Sequence, residues 1–120
     1  VLSQGGAMTQ AAMEAFEAAG RDLVPMTGEA SNGFLRSWVE AKDQGFTSIA
    51  FVCPTTQSSL ALDVAVNALN GEKVEPEYLA SEDPVTEDNV DSVYRDDLSD
   101  NYWPAGTNLD EATVKEMFAE

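Results

Sequence analysis

Three short polar stretches hold the groups that could do chemistry: Gln4-Gly5-Gly6, Gly28-Glu29-Ala30-Ser31-Asn32 and Val52-Cys53-Pro54-Thr55. Together they offer a carboxylate, two amides, hydroxyls, a thiol and the starts of helices. Each follows an apolar run that reads as a strand. In an open α/β sheet, ligands sit outside the carboxyl ends of the strands. That inventory suits recognition of a polar, uncharged small molecule through hydrogen bonds. Asn32 and Thr55 also have a plainer role open to them, as helix caps.

Other chemistries fit less well. The paired glycines Gly5-Gly6 could admit a phosphate at a helix N-terminus, but they lack the Gly-x-Gly-x-x-Gly spacing and have no Lys or Arg nearby. Cys53 could be a nucleophile, yet the chain has no His to activate it; a structural thiol, buried or at a loop mouth, is the simpler reading. The acids Glu82, Asp83, Glu87, Asp88 and Asp91 do not follow a calcium-loop pattern and read as a solvated face. Tyr102-Trp103 reads as an anchor for the acidic segment around it rather than as a ligand platform. No catalytic set emerges, and neither a metal nor a cofactor is expected.

The whole composition narrows the field further. With 22 Asp and Glu against 6 Lys and Arg, the 120 residues carry a net charge of −16. Such a surface repels phosphate backbones and anionic lipid, so no nucleic-acid partner is expected. The 43% of apolar residues can build one packed domain. A single Cys forms no internal disulfide. No apolar run approaches the ~20 residues of a membrane-spanning helix.

The elements that must position these groups read as a strand and a helix repeated three times over residues 1–71. Strands are expected near 1–4, 23–27 and 47–53, pairing in that order and in parallel. Met8, Ala12, Ala15, Phe16 and Ala19 have the spacing of one helix face, and Gly20 ends that helix. Phe34, Leu35, Trp38, Val39 and Lys42 mark a second helix, capped by Ser31 or Asn32 and ended by Gly45. Leu60, Val64, Ala65, Ala68 and Leu69 mark a third, ended by Gly71. Alternation of this kind predicts a parallel sheet with helical crossovers. Residues 72–120 differ, holding 15 acids against 3 bases, or −12 of the −16. Their aromatics predict a segment that wraps over the body. A last helix is expected over 109–119, opened by a capping box of Asn108 and Glu111.

Gly28-Glu29-Ala30-Ser31-Asn32-Gly33-Phe34-Leu35, followed by Trp38, Glu40, Ala41 and Gly45-Phe46, resembles the periplasmic solute-binding proteins of sugar-type ABC importers. This is the type I group that includes the ribose-binding protein. Three further pieces are similar, in order and spacing, across residues 1–75. They are Val1-Leu2-Ser3-Gln4-Gly5-Gly6 with Met8, Ala15 and Ala18-Ala19-Gly20; Ser48-Ile49-Ala50-Phe51 before Pro54; and Leu69-Asn70-Gly71-Glu72-Lys73-Val74. Residues 84–106, with Asp96-Asp97-Leu98 and Tyr102-Trp103, resemble the C-terminal extension of one branch of these importers.

The resemblance implies a partial doubly wound parallel sheet, a three-layer αβα sandwich, in the C-terminal portion of a longer two-lobed protein. Residues 1–53 would form part of the C-terminal lobe, 54–75 a hinge crossover with a helix toward the N-terminal lobe, and 76–120 an acidic extension. That helix would lie on the other lobe, whereas the repeat alone puts all three helices on one sheet. The implied ligand-binding residues are Gln4, Gly5, Gly6, Glu29, Ala30, Asn32, Val52 and Cys53. The family's contacting Asn falls at Gly5, its Asp at Ala30 and its hinge Gln at Val52, so three polar contacts differ here. The implied function is non-enzymatic: capture of a small sugar-like solute for a membrane permease. The implied location is periplasmic or extracytoplasmic, as a membrane-anchored lipoprotein in a Gram-positive cell. The rival readings are the effector domain of a lactose-repressor-type regulator and a small flavodoxin-like or Rossmann enzyme. With the N-terminal lobe absent, self-association through the helix near 57–70 is expected.

Overall fold

The structure, a computed structural model, describes residues 1–79, 82–104 and 107–119. The chain order is α1 (Gly6–Ala18), β1 (Met26–Glu29), α2 (Asn32–Ala41), a 3₁₀ turn (Lys42–Gln44), β2 (Ser48–Phe51), α3 (Gln57–Leu69), α4 (Val90–Val93) and α5 (Glu111–Phe118). The protein is therefore mixed α/β. β1 and β2 pair in parallel, with Met26 opposite Ser48 and Glu29 opposite Phe51.

The β1 strand begins three residues later than the sequence pattern predicts. Pro25 has no N–H to donate, so the ladder starts at Met26. Residues 1–4 do not form the expected first strand. They run beside β1, where the Val1 carbonyl accepts from Thr27 N at 3.0 Å. The Thr27 hydroxyl bonds the Ser3 backbone as both acceptor and donor, at 3.1 Å each. One polar side chain does the work of a ladder there.

Side chains alternate across the sheet, so one face meets the helices and the other does not. Met26, Gly28 and Ala50 are buried on the inner face, beneath Met13 of α1 and Phe34, Leu35 and Trp38 of α2. On the outer face, Ile49 and Phe51 remain 49% and 45% exposed. The inward stripe of α1 is Gly6, Thr9 and Met13, while Met8 faces outward. Thr9 can turn inward because its hydroxyl donates to the Thr27 carbonyl at 2.7 Å. Gly45, at φ 84°, ends the second helical segment in the left-handed conformation glycine tolerates.

No residue of α3 is buried. The repeat reading, with three helices on one sheet, is therefore corrected: α1 and α2 cover the sheet and α3 does not.

The acidic segment joins the hydrophobic core through aliphatic groups. Val85 forms an antiparallel bridge with Ala50 on the free edge of β2, with hydrogen bonds of 2.8 and 2.9 Å. Val85 and Val90 complete the main core. A second small core holds Leu98, Tyr102 and Val114 with Phe118 against them, the Tyr102 and Phe118 rings 5.4 Å apart. The expected capping box is not the one used. Asp110 caps α5, its Oδ1 accepting from Thr113 N at 2.9 Å, and Glu111 instead pairs with Arg95 at 2.7 Å.

Candidate functional site

The turns that follow residues 1–4 and β1 come together. Gly6 opens α1 directly against the Glu29–Ser31 turn. A Cβ added to Gly6 would sit 2.5 Å from the Glu29 carbonyl oxygen, so only glycine allows this approach. Beside it lies a cleft of about 280 Å³, close to the lower end of small-molecule sites. Gly5, Gly6, Glu29 and Ser31 line one side, and Asp100, Asn101 and Trp103 close the other. Gln10 adds an amide.

The predicted site residues separate into groups. Gly5, Gly6 and Glu29 meet at this cleft. Gln4 is exposed and Ala30 is buried in the main core. Val52 lies at a different hollow, with Val85, Val93 and Arg95. Cys53 is exposed, its Sγ 3.6 Å from the Gln57 side-chain oxygen. The expectation of a site shared by all three turns thus reduces to two of them.

Asn32 has another task. It is 0% exposed, and its Nδ2 donates to the carbonyls of Arg95 and Leu98 at 2.8 Å and of Ser99 at 3.2 Å. Its Oδ1 accepts from Arg95 N at 3.0 Å. The backbone continues the clamp: Asn32 N donates to the Tyr102 carbonyl at 2.9 Å and Gly33 N to the Asp100 carbonyl at 3.2 Å. These first N–H groups of α2 have no partner within the helix, so the acidic segment caps it from 60 or more residues away. Ser31 stands at the cap position, but its hydroxyl makes no cap bond.

Charge at the cleft is negative and partly compensated. Asp100 pairs with Arg36 at 3.2 Å, and no Lys or Arg lines the cavity. Further along the segment, Arg95 holds Asp97 and Glu111 at 2.7 Å. The Arg95 hydrogen bonds bring the Asp97 carboxyl down to about 2 and lower that of Glu111 as well, while the same pairing raises the guanidinium. This network sits outside the cleft and orders the segment that walls it.

Sequence reasoning placed Ser31 in one of the polar stretches but missed Gln10, Asp100, Asn101 and Trp103 as lining groups. The only local signal was the run Asp100-Asn101-Tyr102-Trp103, polar and aromatic together. The acids Glu82, Asp83, Glu87, Asp88 and Asp91 are all exposed, as expected of a solvated face; two of them also meet the body, Asp91 through Lys42 and Glu87 by accepting from Ser48 N at 3.1 Å. Among the described residues no helix is long and apolar enough to cross a membrane. Compared with protein-family models, curated proteins and solved structures, the chain matches none.

Proposed function

We propose that this chain is part of a non-enzymatic solute-binding protein that delivers a small, uncharged, sugar-like molecule to an ABC importer. On this reading its sheet belongs to a larger doubly wound three-layer lobe. A second lobe closes over the cleft, and the protein works outside the cytoplasm beside its permease. One observation supports the reading above the others: the turn after residues 1–4 and the turn after β1 converge on one cleft at the carboxyl end of β1. The cleft offers a carboxylate, hydroxyl and amide groups suited to a hydroxyl-bearing solute.

The test is a backbone-amide NMR titration of the chain with ribose, xylose and glucose. The expected result is millimolar binding, with shifts concentrated at Gly5, Gly6 and Glu29, because half of a two-lobed cleft encloses little of its ligand. Shifts absent from these turns at saturating sugar overturn the assignment. Micromolar affinity for the chain alone overturns the two-lobe part of it.

A further inference from the structure

Tyr102 and Trp103 are neighbours with opposite fates. Tyr102 is 6% exposed and packs on Phe118, whereas Trp103 is half-buried and lines the cleft beside Gly5, Gly6 and Glu29. From this placement we infer that Trp103 is a ring-stacking platform, and that the acidic segment is the second wall of the solute site rather than an appendage. The inference rests on the solute-binding reading and names the ligand class: a neutral, polyhydroxylated ring.

The wall is built, not draped. The fully buried Asn32 side chain binds three carbonyls and one N–H between residues 95 and 99. Arg36 pairs with Asp100, and Asn32 N and Gly33 N hold the carbonyls of Tyr102 and Asp100. Gly33 permits this approach, since a Cβ there would lie 2.8 Å from the Asp100 Cβ. Residues on both sides of the Asn101 position are therefore fixed before any ligand arrives. Preorganisation of this kind lowers the ordering cost of binding.

Charge selects against anions. An open helix N-terminus favours phosphate or carboxylate; the first N–H groups of α2 are engaged by the segment's own carbonyls, while α1 begins at the cleft with no side-chain cap. Glu29 and Asp100 add negative charge, and no base lines the cavity. The uncharged lining is an indole with Ala7 and Met8, beside hydroxyl-directed acceptors and amides from Gln10 and Asn101. A sugar ring offers the matching pair of surfaces: a C–H face for the indole and hydroxyls for the polar edge.

The experiment follows tryptophan fluorescence of the chain titrated with glucose and xylose, and with glucuronate and glucose 6-phosphate as anionic counterparts. Trp38 is completely buried against Phe34, so a ligand-dependent signal reports Trp103. The Trp103 variants lack this reporter and are followed by the backbone-amide NMR titration instead: Trp103→Ala should weaken glucose binding about tenfold, the scale of one aromatic contact, with Trp103→Phe restoring most of it. Asn32 acts as a positioning residue. Asn32→Ala should raise acrylamide quenching of Trp103, read by difference against Trp103→Phe, and weaken binding without altering the quenching of Trp38. Neutral sugars that bind equally well to Trp103→Ala overturn the platform and leave the solute-binding reading standing. Tighter binding of either anionic sugar overturns the selectivity. Failure of every sugar to bind wild type, by NMR as well as fluorescence, removes the solute-binding reading itself.

Discussion

Helices α2 and α3 each come after a strand of the same sheet, yet one is buried and the other is not. In α2 the apolar residues Phe34, Leu35, Trp38 and Ala41 form one stripe, all at most 3% exposed, with Arg36, Ser37 and Glu40 elsewhere on the turn. In α3 Leu60, Leu62, Val64, Val66 and Leu69 spread around the helix, and Asp63 is its one charge. Leu62 is 64% and Leu69 87% exposed. Apolar content alone therefore does not decide burial; a stripe meets one partner, whereas a helix apolar on several sides needs more than one. The whole chain exposes 7635 Å², against about 6,300 Å² expected for a compact protein of its mass. That surplus exceeds the ~800 Å² each partner contributes to a standard interface.

Mutations can break or sharpen this contrast. Phe34→Ala should have the largest effect, about 3–5 kcal/mol lost in urea unfolding, because its ring is 0% exposed in the core. A loss near zero would erase the distinction between the helices. Asn32→Ala should follow at about 2–3 kcal/mol, since it strands an N–H and carbonyls that have lost their buried partner.

Acid should act more locally. The Asp97 carboxyl lies at about 2 in the folded chain against 3.8 for an ordinary aspartate, and that of Glu111 is also lowered. A lowered carboxylate adds stability that is complete above the unfolded value and fades as pH falls through the folded one. The α5 clamp should therefore loosen between about pH 4 and pH 2, with faster exchange of the Ser99 and Val114 amides. Unchanged exchange across that window would show that the Arg95 pairs do not hold α5.

Truncation of α3 should have the smallest effect on folding. Leu62→Ala is expected to change unfolding free energy by no more than about 0.5 kcal/mol, as for exposed sites generally. We expect its influence in association instead. Light scattering should find self-association of wild type that grows with salt, as screening reduces repulsion from the −16 charge, and Leu62→Glu should reduce it. A clean wild-type monomer at high protein and salt concentration would sink the proposal that α3 meets a second copy.

The parallel β1–α2–β2 unit was legible because its signals are local: a β-rich run, an apolar stripe and a glycine stop. Local chemistry also explains the misplaced start of β1, where Pro25 removes a donor that periodicity ignores. Residues 1–4 misled for a different reason. Their apolar start looked like a strand, but Thr27 supplies side-chain bonds in place of a ladder. The meeting of Gly5, Gly6 and Glu29 was readable from the placement of turns after apolar runs, although residues 1–4 form no strand. Asp100, Asn101 and Trp103 were not, because what brings them there is a single amide on the far side of the sequence. Asn32 looked like a cap or a ligand group, and only its distant partners reveal its use.

That amide also sets an order of events. Asn32 and Arg95 are 63 positions apart, so the leading N–H groups of α2 gain their protein partners only when the last third of the chain has arrived. During synthesis water holds those groups. Contacts this distant form late and slow the search for the native state. Their dependence on the length between them is weak, since doubling a flexible loop adds only about 0.6 kcal/mol. The stretch between α3 and Val85 can therefore lengthen or shrink over generations at little thermodynamic cost, while Asn32, which must find the same carbonyls each time, has no such freedom.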